Sequence, residues 1–315
     1  MLVLSRHTLA QHCDAHSSWT ARLRVGCSWR ELGAGARIGQ AGDGIAGPGG
    51  GTRAGREARV TRARRVAAAQ RVAIPAYAYP YPGDPYWAQL LAGAPQVRLL
   101  VADPADGPGT RSDPHYAAAI DQARQRGILV LGYVTLDYGA RPGAEVEADI
   151  ERWYTWYAPD GIFIDLVPTS AEHVEACHAL YAATKRRSAS SGLVVLNPGT
   201  HTLEAYMDTC DILLGSESTW ATYRHAYPQA PAWVNTYPAQ RFWHVVHACP
   251  TEAEMRTALW LARKRNAGWI FVTDHTGLNA YDKLPSGEYW ASELGRAVRS
   301  ADPRRRVPGD HDGAI

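Results

Sequence analysis

The chain has 315 residues, 46% hydrophobic and 20% charged, with a net charge of +2. That is globular composition, long enough for one large domain or two small ones, and no run of 18 or more apolar residues offers a transmembrane helix. The small net charge hides an opposition: residues 1–70 hold 11 Arg and no Lys against 4 acidic residues, or +7, which leaves −5 for residues 71–315.

Residues 1–70 also hold 11 of the 29 Gly, in runs such as GAGARIGQAGDGIAGPGGGTRAG. Little apolar periodicity survives there, and such a segment cannot bury enough surface to offset its chain entropy, so it is expected to be disordered. A basic arm can meet nucleic acid or an anionic surface. A solvated tail or an unused upstream start accounts for it as well, and no nucleic-acid partner is expected. MLVLSRHTLA is too short an apolar run for a secretory signal, and no small-residue cleavage site follows it. The compartment stays open.

From residue 71 short apolar runs alternate with amphipathic ones. The runs are RVAIPAYAY (71–79), VRLLVAD (97–103), GILVLGYVT (127–135), GIFIDLV (161–167), LVVLNPG (193–199), DILLGSES (211–218), FWHVVHA (242–248) and GWIFVTD (268–274). They are nearly continuous in apolar residues, as strands covered on both faces are. Helical patterns lie between them: residues 113–127, closing on Arg126 and Gly127; residues 168–187, opening on Pro168 and Thr169 and closing on a basic turn; and residues 251–268, opening on the capping pair Thr251 and Glu254. Eight strand–helix repeats predict an α/β fold, a (β/α)₈ TIM barrel over residues 71–300, with a disordered tail at 301–315. A doubly wound open sheet is the competing architecture, but no GxGxxG follows the first strand.

Active sites of such barrels sit at the C-terminal ends of the strands. Those ends carry Tyr77 and Tyr79, Asp103, Tyr133, Asp165, Asn197, Glu217, His247 and Asp274. The carboxylates among them are Asp103, Asp165, Glu217 and Asp274. His244 lies three residues before His247 and so on the opposite face of an extended strand, and no other His or Cys stands at ligand spacing, so no metal or other cofactor is expected. The five cysteines, Cys13, Cys27, Cys177, Cys210 and Cys249, show no CxxC spacing and read as free thiols. Neither a GxSxG elbow nor a P-loop is present. Paired carboxylates among many aromatics, including Tyr77, Tyr81, Trp220, Trp233 and Tyr237, suit glycoside cleavage: one carboxyl protonates the leaving oxygen, the other attacks or activates water, and ring faces stack on sugars. The acidic body favours a neutral or cationic saccharide.

VAIPAYAYP (72–80), VADPADGPG (101–109), LGYVTLDYGAR (131–141), WYAPDGIFID (156–165), VVLNPGT (194–200), LLGSEST (213–219), VVHACPTEAEM (245–255) and WIFVTD (269–274) together resemble spherulation-specific family 4, the spherulin-4-like proteins. The resemblance implies a (β/α)₈ glycoside hydrolase that cuts within α-1,4-linked, N-acetylgalactosamine-rich polysaccharide. The family places an Asp-Glu pair after the fourth strand and a Glu after the sixth. Carried over, the Asp is Asp165 and the later Glu is Glu217, while the middle Glu falls on Leu166. Asp106 stands where the family usually has a small polar residue. On that footing Glu217 is expected to be the nucleophile and Asp165 the general acid/base, or the reverse, and the strand-end and aromatic residues Tyr77, Asp103, Tyr133, Asn197, Trp220, His247 and Asp274 are expected to hold the sugar. Leu166 also admits a barrel that binds saccharide without cutting it. Sugar identity, linkage, stereochemical outcome and oligomeric state are not legible.

Overall fold

Eight strands, each too apolar to face water on either side, leave the chain few options, and it takes the closed one. The computed structural model describes residues 70–277 and 279–299, so the expectations for residues 1–69 and 301–315 fall outside the described residues. The strands β1 (Arg71–Ala76), β2 (Val97–Ala102), β3 (Leu129–Thr135), β4 (Gly161–Asp165), β5 (Leu193–Leu196), β6 (Ile212–Thr219), β7 (Phe242–His247) and β8 (Trp269–Val272) pair in parallel, each with the next, and β8 returns to β1.

Helices α1 (Pro85–Ala92), α2 (Pro114–Gln125), α3 (Gly143–Trp156), α4 (Val174–Arg187), α5 (Trp220–His225), α6 (Glu252–Lys264) and α7 (Gly287–Arg299) follow strands one to four and six to eight. One of the eight expected repeats, the fifth, lacks its helix: β5 and β6 are joined by a 3₁₀ turn, Glu204–Thr209, in place of an α-helix. The other helices start where their caps dictate. Asp113 accepts from the amides of His115 and Tyr116 with Pro114 in the first turn, and Thr251 accepts from the Glu254 amide. Helix α4 begins later than the sequence suggests, because residues 171–173 form a 3₁₀ turn first.

Alternate strand residues share a face. Trp243 and Val245 of β7 and Phe271 of β8 belong to the main core, whereas Val246, Ile270 and Val272 pack beneath α6 against Met255, Ala258, Leu259 and Ala262. Inside the barrel Tyr133 stacks on Phe163 at 6.0 Å and Phe163 meets Trp243 edge-on at 5.8 Å. These rings fill the interior, so the barrel is a packed core with a floor. Outside β3, Trp153 of α3 lies so close to Gly132 that a Cβ there would stand 2.3 Å from its indole, and its N–H donates to the Tyr133 carbonyl at 2.7 Å.

One irregularity positions the site. Leu214 pairs with Trp243 and Glu217 with Val245. Trp243 and Val245 share the inner face of β7, yet Leu214 and Glu217 are an odd number of residues apart. The register breaks between Leu214 and Ser216, so Gly215 is the extra residue of a β-bulge. Without it, alternation would turn Glu217 outward.

Candidate active site

Asp165 ends β4 and Glu217 lies near the end of β6, two strands apart around the barrel. Asn197, just past β5, stands between them. Its Nδ2 donates to Asp165 Oδ1 and to Glu217 Oε2, both at 2.7 Å. One amide nitrogen thus engages both carboxylates, and their facing oxygens are at most twice that distance apart. The Asn197 side chain is itself held, its Oδ1 accepting from the Gly199 amide at 2.8 Å. Each carboxylate has a phenol as second donor: Tyr133 on Asp165 Oδ2 at 2.7 Å, and Tyr281 on Glu217 Oε1 at 2.7 Å. Tyr77 meets the rings of Tyr133 and Tyr281 edge-on, both at 5.9 Å, and closes an aromatic wall beside the pair.

Burial, and next the charge of Glu217, push the Asp165 carboxyl up to about 6, against the opposing pull of the Tyr133, Leu166 and Asn197 donors. Burial first, with Asp165 or Glu217 adding to it, raises the Tyr133 and Tyr281 hydroxyls well above their ordinary value, so both stay protonated donors. Burial draws the His247 imidazole down while Glu217 pulls it the other way, and its ring meets Tyr281 edge-on at 6.4 Å.

The structure brings Tyr77, Tyr133, Asp165, Asn197, Glu217 and His247 together. Asp103 borders them: it is buried, its Oδ1 accepts from the Gly107 amide at 2.9 Å and closes the loop after β2, and burial, then Asp106, raises its carboxyl well above the usual range. Asp103 in turn acts electrostatically on Tyr77 and Tyr133. Two expectations need correction. Trp220 opens α5 on the outside of the barrel, buried against α6, its indole N–H donating to Glu254 at 3.0 Å. Asp274 lies two residues past the end of β8, whose Ile270 and Val272 face the helices. Its charge bears on Cys249, Tyr289 and Glu293. Cys177, Cys210 and Cys249 are free and buried, as expected.

Tyr281 was not anticipated. It lies in the loop after β8, held through its carbonyl by the Tyr86 hydroxyl of α1 at 3.2 Å, and no periodicity marks that loop. Leu166, where the resemblance implies Glu, is not part of the extended strand. Its φ is 49°, a left-handed conformation that a leucine rarely adopts, so alternation does not tell which way position 166 points. Among the described residues no group of three or more His, Cys, Asp or Glu could hold a metal ion, and no helix is long and apolar enough to cross a membrane.

The sequence pattern of spherulation-specific family 4 matches residues 71–296. Spherulin-4 of Physarum polycephalum is 25% identical over 222 residues, covering 66% of this chain and 65% of that protein. The chain therefore spans just under two thirds of the length of this curated relative. The crystal structure of Aspergillus clavatus Sph3 in complex with GalNAc aligns with 74% of this chain and 99% of its own at 25% identity, with a TM-score of 0.64.

Proposed function

The chain belongs to spherulation-specific family 4, and from that premise we propose that it is a retaining glycoside hydrolase cutting within a polysaccharide that contains N-acetylgalactosamine or galactosamine. The observation that carries this reading is the single Asn197 amide on both carboxylates. It keeps their facing oxygens within twice 2.7 Å of each other, which matches the separation of about 5–5.5 Å used for a double displacement better than the about 6.5–9.5 Å of an inverting pair. The GalNAc bound to Sph3 supports the choice of sugar.

In this reading Glu217 attacks the anomeric carbon as the glycosidic C–O bond breaks, and the proton of Asp165 passes to the leaving oxygen. The covalent glycosyl ester on Glu217 is then opened by water, whose proton returns to Asp165. Tyr281 and Asn197 aim donors at Glu217 and hold its carboxylate oxygens in place, while burial suits Asp165 to carry a proton. Tyr77, Tyr133 and His247 shape the sugar pocket.

Leu166 favours a second reading, a saccharide-binding barrel that does not cleave. A reducing-end assay of the full chain on partly deacetylated poly-N-acetylgalactosamine separates the two. The wild type is expected to release reducing ends, and Glu217→Gln to lower the rate by about 10³-fold or more, as loss of a nucleophile does. Hydrolysis surviving in Glu217→Gln would sink the assignment. Binding without hydrolysis by the wild type would establish the second reading.

A further inference from the structure

The loop after β3 takes a backbone path that non-glycine residues rarely adopt. Asp137, Tyr138 and Gly139 have φ of 47°, 54° and 89°, three left-handed residues in succession of which only the last is glycine. Left-handed backbone is unfavourable for a residue that carries a Cβ. The conformation is nevertheless fixed. The Leu136 amide donates to the Asp165 carbonyl at 3.0 Å, and the Tyr138 amide to the Leu166 carbonyl at 2.8 Å. Gly139 lies under the His173 ring, whose Cε1 would stand 2.5 Å from any Cβ at that position. Leu166 is left-handed as well, so both loops bend to make this junction. What the junction presents is the Tyr138 ring, 63% exposed. Strain held in place around an exposed aromatic, one hydrogen bond and one residue from Asp165, is the kind of outlier from which function can be inferred.

We propose that Tyr138 is the platform of an outer saccharide subsite, on the Asp165 side of the cleavage point, where its ring stacks on a sugar of the polymer beyond the one in the catalytic pocket. This deepens the glycosidase reading and rests on it. A phenol ring presents a flat apolar face with negative π density, which matches the C–H face of an uncharged pyranose. Because the loop is already clamped, little ordering is needed when the sugar arrives.

The test uses the full chain carrying Glu217→Gln, so that ligands are bound and not cut, with calorimetric titration of N-acetylgalactosamine and its oligomers of two to six units. The parent's own binding is read first. Adding Tyr138→Ala is expected to weaken the longer oligomers about tenfold, the size of one aromatic contact, and to leave the monosaccharide within about twofold. Tyr138→Phe should keep the affinity, since the ring face and not the hydroxyl does the stacking. Trp260→Ala, removing another exposed aromatic, on the outer helix α6, should change nothing. Equal weakening of the monosaccharide, no weakening at any length, or a loss as large in Tyr138→Phe would overturn the subsite while leaving the glycosidase reading intact. A parent that binds none of the sugars would overturn both.

Discussion

Asp165 and Glu217 share one amide donor, yet their surroundings assign them different tasks. Burial and the charge of Glu217 hold Asp165 up to about 6. A general acid must be protonated, so kcat/KM should fall on the alkaline side with an apparent pKa near that value. Tyr133 donates to the ionised form and pulls this value down. Tyr133→Phe removes that pull, so the alkaline limb should move to higher pH by up to about one unit, the worth of one hydrogen bond to a charged group. A pH–rate profile of the two proteins decides it, and a limb that stays or moves down would remove Asp165 from the role of acid. At this scale the sequence was legible wherever a residue's strand phase could be counted: Tyr77, Tyr133, Asp165, Asn197 and His247 all end inward. Proximity to a strand end is a poor guide at Asp274, which lies past β8, and at Trp220, which opens a helix. Tyr281 escaped because its loop is positioned by a hydroxyl from α1, a contact 195 residues distant in sequence.

Among elements, β3 and its helix show how packing reaches the site. Gly132 exists to admit Trp153, and the same indole holds the carbonyl of Tyr133. Gly132→Ala should lower stability by about 1–3 kcal/mol through overpacking and should reduce activity along with it, because the strand residue that shifts is the one before Tyr133. Chemical denaturation and a rate measurement on the same preparation test both. The strands were readable from sequence because burial on two faces leaves an unbroken apolar run. The missing helix after β5 was not, because a 3₁₀ turn such as EAYMDT carries no helical stripe. Gly215 inside the run ILLGSEST was a visible hint, since an isolated strand glycine often marks a bulge, but the register that proves it comes only from pairing with β7.

At the scale of the whole molecule, closure of the barrel places a carboxylic acid where water cannot reach it. Glu293 of α7 is fully buried and accepts from the Val272 amide of β8 at 2.9 Å. Burial is the main cause that raises its carboxyl from 4.5 to about 8. Between those values the folded chain keeps a proton that the unfolded chain releases, so stability is greatest on the acid side and is lost as pH rises toward about 8. Thermal denaturation should therefore show Tm declining over that interval, and Glu293→Gln, neutral at every pH, should flatten the decline. An unchanged slope in the variant would assign the dependence to other groups. The bulge at Gly215 has a consequence for anyone who would move this chemistry elsewhere. A carboxylate grafted alone onto the sixth strand of another barrel would land on the wrong side of the wall. The transferable unit is the cassette from Gly215 to Glu217, because the glycine supplies the half-turn of phase that lets the acid look into the mouth of the barrel.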